Sequence, residues 1–347
     1  MSNANESLDP GRCWGGVYPI LGPKLPAIAK RLEASGRHGI LAGQSWGPPW
    51  IPLAAAAAVT ERVQLACSVA IAGVRSPFET AFAALDLDRI SNGRFVLGLG
   101  SSTRWVTQSH FGVDTPKPVQ QLRECVAAVR HIVAHAHTGL TPFEGESFRA
   151  DFAGLQPTPP PVRAAIPIWL GALRSRMTRL AGEIADGVIG HPLWGVDHWL
   201  GRVQADLAAG AAAAGRRVEE IHQCVYLTVA IADDPREAFA DARQSVAAYA
   251  SIEQYAPFFE DAGHGDAAAR IRRLFAAGER ERAAQEVDET MARAFVVFGD
   301  AEHARREVAR LAPIASTYSI SPPSWGVPLQ RTAYYTTQID RTFFGRD

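Results

Sequence analysis

Short apolar runs alternate with helix-like segments along most of the chain, and this alternation limits the fold more than any other feature of the sequence. The apolar runs predict eight strands, at residues 14–20, 39–43, 63–69, 95–99, 167–171, 187–190, 223–232 and 316–320. Eight strands with intervening helices favour an α/β fold of the (β/α)8 TIM-barrel type, with parallel strands and right-handed crossovers. The rival architecture is a doubly wound open sheet. It would need a GxGxxG turn after the first strand, and residues 14–23 contain none.

Two stretches interrupt the alternation, and we interpret both as insertions in one barrel domain that spans residues 1–347. Residues 138–165 are rich in Pro, Gly and aromatic side chains, which predicts a lid or a hairpin. Residues 251–289 are charged and helical and contain no strand-like run. The sequence shows no internal repeat and no linker long enough to separate domains.

Charge and apolar content argue against several kinds of partner. The formal net charge is −1, so no overall field favours nucleic acid or a membrane surface. The longest apolar run, residues 51–59, contains a proline and is too short to cross a bilayer.

The four cysteines lie far apart without a CxxC pair, which argues against disulfides and a zinc site. The polar N-terminus lacks the apolar core of a signal peptide, so we expect a cytoplasmic protein.

One predicted strand ends in glycines and hydroxyls. Residues 86–102 read DLDRISNGRFVLGLGSS, in which a helix, a tight turn and a short apolar strand lead to Gly100, Ser101 and Ser102. Bare backbone N–H groups at such a strand end can approach a phosphate-bearing ligand closely. We therefore predict that these three residues contact a cofactor.

A second segment of the same kind follows the fifth predicted strand. It consists of Gly171, Ala172, Leu173 and Arg174, and Arg176 follows within the first helical turn. Glycine permits close approach, a helix N-terminus favours an anion, and arginine adds positive charge. These five residues are predicted to bind the cofactor, although the two arginines could instead be solvated helix residues.

Catalytic groups are few at the predicted strand ends. The ends carry no pair of carboxylates and no His/Asp cluster at metal-ligand spacing, which argues against a glycosidase and a metal-dependent hydrolase. Small residues and hydroxyls there instead suggest a flat, phosphate-bearing cofactor that brings its own reactive chemistry. We predict no metal site.

Four further residues complete the set of candidates. His191 follows the sixth predicted strand and Gln44 the second, and both are predicted catalytic residues. A lone histidine beside a proline can also be a structural hydrogen-bonding residue. Trp46 and Trp50 could form an aromatic wall for the substrate, or could simply pack their loop.

Three segments in the same order resemble the luciferase-like monooxygenase superfamily, in particular its coenzyme F420-dependent oxidoreductase branch. They are residues 59–70 (VTERVQLACSVA), 86–102, and 167–191 (PIWLGALRSRMTRLAGEIADGVIGH). The resemblance implies a cis peptide bond between Ser68 and Val69, behind the cofactor ring. It also implies that residues 101–102 lie near the cofactor and residues 171–174 near its phosphate.

The chain departs from part of that family. Relatives that oxidise sugar phosphates carry a histidine and a tryptophan after strand two and a glutamate after strand four. Here the glutamate position is Thr103, and residues 44–49 contain no histidine. Gln44 stands where nearer relatives often carry an acidic residue. The departures argue against sugar-phosphate dehydrogenation.

The resemblance leaves three functions open. The first is an F420-dependent oxidoreductase that passes a hydride to or from a small organic substrate, with His191 or a bound water as proton source, because an amide such as Gln44 cannot supply a full proton. The second is an FMN-dependent monooxygenase that uses O2 and reduced flavin from a partner. The third is a barrel that binds a cofactor or ligand without turnover. The family further implies a homodimer and a reductase that regenerates the reduced cofactor.

Overall fold

Twelve strands are found in a computed structural model of the protein, which describes residues 8–44 and 47–345, apart from the Pro19 side chain. In chain order they are β1 Trp14–Gly16, β2 Gly39–Ala42, β3 Gln64–Cys67, β4 Ala70–Ile71, β5 Phe95–Gly100, β6 Phe143–Glu144, β7 Arg149–Ala150, β8 Ile168–Gly171, β9 Gly187–Ile189, β10 His222–Ile231, β11 Val297–Gly299 and β12 Thr317–Ser321.

Helices connect the strands. They are α1 Leu25–Ala34, α2 Trp50–Ala57, α3 Pro77–Ile90, α4 Arg104–Phe111, α5 Pro118–His135, α6 Ser175–Ile184, α7 Val196–His198, α8 Gln204–Ala213, α9 Pro235–Ala250, α10 Ala256–Asp261, α11 Gly265–Ala276, α12 Arg280–Gln285, α13 Glu289–Phe295, α14 Ala301–Ala309 and α15 Leu329–Phe344. A π-helical turn, Trp199–Val203, joins α7 to α8. None of the helices in the described residues has both the length and the apolar character needed to cross a membrane.

Parallel strands form the wall of a TIM barrel, as predicted. Their order is β1-β2-β3-β5-β8-β9-β10, and β12 pairs with β10 in parallel. A parallel bridge between Cys13 and Tyr318 brings β12 next to the start of β1. The eight predicted strands are therefore present in the predicted order, and β11 lengthens the wall by pairing with the end of β10.

The first and third predicted strands differ from the structure. The first ends at Gly16, and a 3-10 helix, Pro19–Lys24, replaces its predicted second half. Prolines in that segment lack the N–H that a strand ladder needs. The third strand is interrupted at Ser68 and Val69, and their peptide bond is cis, as the resemblance implied.

The inside of the barrel is filled by a separate apolar cluster. Seven neighbouring strands each contribute one residue, which is the pattern of inward-facing side chains in a barrel. The residues are Trp14, Leu41, Ala66, Val96, Trp169, Ile189 and Cys224. The larger core lies between the strands and the helices around them.

The most recognisable sequence segment holds neighbouring strands together. The Arg94 guanidinium donates to the backbone carbonyls of Thr60 and Val63, each at 2.7 Å. Asp88, which is buried, accepts hydrogen bonds from Nε and Nη2 of Arg163, with the shortest at 2.6 Å. Buried charged groups need such partners. The segment therefore fixes the turn that leads into β5.

Both predicted insertions have the predicted local structure. In residues 138–165, β6 and β7 form an antiparallel hairpin. It lies along α5, where the Glu124 carboxylate accepts from the Ser147 N–H at 2.6 Å. Residues 251–289 fold into a 3-10 turn, Glu253–Tyr255, followed by α10, α11 and α12, without a strand.

The ring of His222, at the start of β10, stacks on a tryptophan of the interior cluster. The His222 ring lies 4.3 Å from the Trp169 ring, and its Nε2 is 2.8 Å from Thr317 Oγ1. The same hydroxyl accepts from Trp14 Nε1 at 2.9 Å. Burial, together with the nearby His38, lowers the pKa of His222 to about 4. The ring is therefore neutral in the folded protein at pH 7.

We expect His222 to make folding less favourable as the pH falls from about 6.5 to about 4. In that window the unfolded chain binds a proton that the folded chain excludes, so the free energy of unfolding decreases with decreasing pH. In His222→Gln this pH dependence should be weaker, by up to about 1.4 kcal/mol per pH unit, the limit for one proton. Urea unfolding of both proteins between pH 7 and pH 4.5 measures it. Parallel stability curves would contradict the prediction.

Candidate functional site

The side chain of Val69 sits in a space that two glycines leave open. A Cβ on Gly100, at the end of β5, would lie 2.6 Å from Val69 Cγ2, and one on Gly171, at the end of β8, would lie 3.0 Å from Val69 Cγ1. Cβ atoms essentially never approach another atom to 2.6 Å, so Gly100 requires glycine while Val69 keeps this place, and a side chain at Gly171 would push Val69 by a few tenths of an ångström. The cis peptide and these two strand ends therefore form one surface, which we call the Val69 platform.

Beside the Val69 platform, Gln44 is anchored through its oxygen. Gln44 Oε1 accepts from the Ile71 N–H at 2.9 Å and from Arg75 Nη1 at 2.8 Å. The Arg75 guanidinium also lies 5.5 Å from the centre of the Trp50 ring. Arg75 thus joins residues from the loop after β2, the start of α2 and the segment after β4.

Two buried donors in this group have no hydrogen-bond partner among the described residues. They are Gln44 Nε2 and Trp50 Nε1. A buried N–H without an acceptor destabilises a protein by about 1–3 kcal/mol, so such groups usually mark a missing partner. Gln44 adjoins the Val69 platform, where its backbone N–H donates to the Val69 carbonyl at 3.3 Å, and Trp50 is connected to it through Arg75. Two such donors suit the carbonyl edge of a flat ring. The predicted residue Trp46 lies outside the described residues.

The loop after β5 turns sharply away from the barrel. Ser102 has a left-handed backbone, with φ 57°. Ser101 Oγ donates to the Ser102 carbonyl at 3.2 Å. Thr103 Oγ1 accepts from the Val106 N–H at 3.3 Å, so it caps α4. The residue in the family's glutamate position thus begins a helix here.

The loop after β8, residues 172–173, leads directly into the N-cap of α6. Arg174 occupies the N-cap position, and the helix begins at Ser175. A cavity of about 110 Å³ beside this turn is lined by Arg174, Ser175 and Arg202, among others. Free N–H groups at the start of α6 and the arginines favour an anion there, although Asp206 and Asp261 also line the cavity and pair with Arg202 and Arg174.

The arginines around this cavity differ in how firmly they are held. Arg202 Nε donates to Ser175 Oγ at 2.8 Å and to Asp206 at 3.0 Å. Burial alone would raise the pKa of Asp206, but hydrogen bonds from its partners outweigh it and the pKa is lowered. Arg174 only faces Asp261 at 3.6 Å, and both side chains are more than half exposed. Such a pair is weak, so Arg174 can turn towards a ligand. Arg176 is exposed on the first turn of α6.

His191 lies where the sequence predicted it, two residues beyond the end of β9. Its Nδ1 accepts from the Leu193 N–H at 3.2 Å, and its Nε2 is 3.4 Å from the hydroxyl oxygen of Tyr255. Burial lowers the pKa of His191 to about 3, so the ring is neutral. Trp194 Nε1 donates to the Leu173 carbonyl at 3.0 Å and ties this loop to the loop after β8.

Sequence reasoning missed three aromatic residues around His191. Tyr249 lies on α9, Tyr255 in the second insertion and Trp325 after β12. The Tyr249 ring stacks on Trp325 at 4.7 Å and lies 5.8 Å from Tyr255. No local pattern marks them, because their meeting depends on the path of the insertion. Within the described residues, no three metal-ligating side chains come together.

Comparison with known proteins agrees with this architecture. The family described as luciferase-like monooxygenase matches residues 21–316. A Mycobacterium tuberculosis protein, named provisionally as a coenzyme F420-dependent oxidoreductase, is 31% identical over 313 residues, which cover 85% of this chain and 88% of that protein.

Two solved structures share the fold at low identity. The coenzyme F420-dependent tetrahydromethanopterin reductase from Methanopyrus kandleri has a TM-score of 0.72, with 23% identity over 91% of this chain and 93% of that chain. The oxygenating constituent of 3,6-diketocamphane monooxygenase from Pseudomonas putida, in complex with FMN, has a TM-score of 0.59, with 16% identity over 92% of this chain and 90% of that chain. The present chain belongs to the luciferase-like monooxygenase family of oxidoreductases.

Proposed function

We propose that this protein is an F420-dependent oxidoreductase that moves a hydride between the deazaflavin and a small organic substrate. The observation that carries the proposal is the Val69 platform with the unpartnered donors of Gln44 and Trp50 beside it. A flat ring with carbonyl groups at its edge suits such a surface. The F420-dependent names of the M. tuberculosis and M. kandleri proteins support F420 over FMN.

Each part of the site has a role in this proposal. F420 supplies the hydride-transfer chemistry when it is bound. The Val69 platform positions its ring, and Gln44 and Trp50 donate hydrogen bonds to it. Ser101, Ser102 and the backbone of residues 171–173 line its path, and the start of α6 with Arg174 and Arg176 receives its phosphate and acidic tail. Trp46 stays a predicted substrate contact.

The proposal also needs a supply of cofactor in the right redox state. A separate reductase or dehydrogenase must regenerate the form of F420 that each turnover consumes, since the reaction leaves the cofactor changed by one hydride. A homodimer and a cytoplasmic location stay predictions.

Purified protein should bind oxidised F420 with a micromolar or tighter dissociation constant and bind FMN much more weakly. The expected signal is quenching of tryptophan fluorescence, because Trp50 lies at the site. Saturation with F420 alone would support hydride transfer by F420. Preference for FMN would instead favour the monooxygenase function, and the absence of binding to both would overturn the assigned cofactor site.

Gly100→Ala should weaken F420 binding about tenfold or more, because the added methyl meets Val69 Cγ2 at 2.6 Å. The double variant Val69→Ala/Gly100→Ala removes the clashing methyl and should recover part of the affinity. Titration with F420 measures both, with thermal unfolding as the check that each variant folds. Equal affinity of Gly100→Ala and the parent protein would contradict the role of the platform.

Arg174→Gln should weaken F420 binding about threefold to tenfold and make it less sensitive to salt, since the exposed arginine loses an ion pair with the acidic tail. Arg217→Gln, which also removes an exposed arginine, is the matched control because Arg217 pairs with Glu220 beyond the end of α8. Titrations at low and high salt measure both effects. An equal loss in the two variants would mean that only net charge matters.

A further inference from the structure

We propose that Tyr255 is the proton donor to the substrate, that His191 positions it, and that the substrate is a flat, apolar carbonyl compound. This inference rests on the proposed function and names the substrate class and proton source of the same site. It starts from the second insertion, which brings Tyr255 to the end of β9, next to the loop that follows β8.

The insertion is fixed to the strand ends at several points. Tyr255 faces His191, and in α10, which follows directly, Asp261 faces Arg174 at 3.6 Å. The Phe258 ring packs against His198, with ring centres 5.3 Å apart. Tyr255 is therefore held beside the loops that carry the proposed cofactor contacts.

Hydrogen-bond donors and acceptors set the direction of the Tyr255 proton. Since the Leu193 N–H donates to His191 Nδ1, that nitrogen carries no proton, and the single proton of a neutral imidazole lies on Nε2. Nε2–H then donates to the Tyr255 oxygen, 3.4 Å away. The Tyr255 hydroxyl proton consequently points away from His191 and is available to another acceptor. Burial raises the pKa of Tyr255, so this proton is retained near neutral pH.

The surroundings of Tyr255 indicate what that acceptor belongs to. Tyr249 packs against both His191 and Tyr255, with ring centres 6.0 Å and 5.8 Å apart. Trp325 stacks on Tyr249 and is 47% exposed, so the cluster of Tyr249, Tyr255 and Trp325 is open to solvent on one side. Aromatic rings beside a single directed O–H suit a planar apolar compound with one carbonyl oxygen.

The proposed step balances for a conjugated or simple carbonyl. The substrate carbon accepts a hydride from the reduced deazaflavin, which is thereby oxidised, and an electron pair of the substrate moves to its oxygen. That oxygen takes the Tyr255 proton as the Tyr255 O–H bond breaks. The phenolate then recovers a proton from water, which enters beside the exposed Trp325.

The first test needs no cofactor. The probe is 4-dimethylaminocinnamaldehyde, a planar aldehyde whose absorption band moves to longer wavelength when its carbonyl oxygen accepts a hydrogen bond. The parent protein should bind it and shift the band. Tyr255→Phe should bind it without the shift, and the matched control Tyr334→Phe, on the outer helix α15, should behave as the parent does. A full shift in Tyr255→Phe, or no binding by the parent, would overturn the inference.

Two histidine variants separate positioning from packing. His191→Gln keeps an N–H donor and should retain part of the band shift, whereas His191→Leu should lose it. Nitrogen-15 NMR of histidine-labelled parent protein reports which ring nitrogen of His191 carries the proton. The variant His191→Gln is needed only to assign the His191 signals. A protonated Nδ1 on His191 would overturn the inference, and a protonated Nε2 supports it.

Turnover of the same aldehyde with reduced F420 completes the test. Tyr255→Phe should lower kcat about a hundredfold, the usual contribution of a general acid, with the dissociation constant of F420 unchanged. An unchanged kcat would refute the role of Tyr255 while the proposed function stands. If F420 does not bind at all, the proposed function fails, and the aldehyde titration still decides the role of Tyr255.

Discussion

The contact of Val69 with Gly100 and Gly171 is the constraint on which the rest of the site depends. It lets three strands, β3, β5 and β8, end side by side with a valine side chain between them. A methyl group on Gly100 would displace the side chain of Val69, the residue whose backbone carbonyl accepts from the Gln44 N–H. The lack of side chains at these two glycines thus sets the shape of the surface on which a flat ring can lie.

Around this surface the strand ends carry two groups of side chains with different chemistry. Gln44, Trp50 and the start of α6 offer donors and positive charge, which suit a cofactor. His191, Tyr249 and Tyr255 offer rings and one directed hydroxyl, which suit an apolar substrate. The link between the two groups is short, because Trp194 bonds to the Leu173 carbonyl.

Much of the fold follows from patterns that are local in the sequence. Helix α3 begins at Pro77 and ends at Ile90, because a proline opens it and a Ser-Asn-Gly turn follows it. The cis bond at Ser68 was implied by the family resemblance, and no physical pattern in the sequence required it. The contact between His191 and Tyr255 could not be predicted, since 64 residues separate them and the path of the insertion brings them together. The same holds for the contacts of Arg75 with Gln44 and Trp50, which come from different elements.

The second insertion has a consequence for how such proteins diversify. It carries both Tyr255 and Asp261, so one stretch of chain contacts His191 after β9 and Arg174 after β8 at once. The barrel wall takes no side chain from this stretch, and its interior cluster is complete without it. Exchange of this segment between relatives would therefore change the surroundings of both strand ends together, provided that its apolar residues, which belong to the larger core, still fit the neighbouring helices. Recombination at the two ends of the segment would offer a shorter evolutionary route to a new reaction than the accumulation of point changes along eight strands.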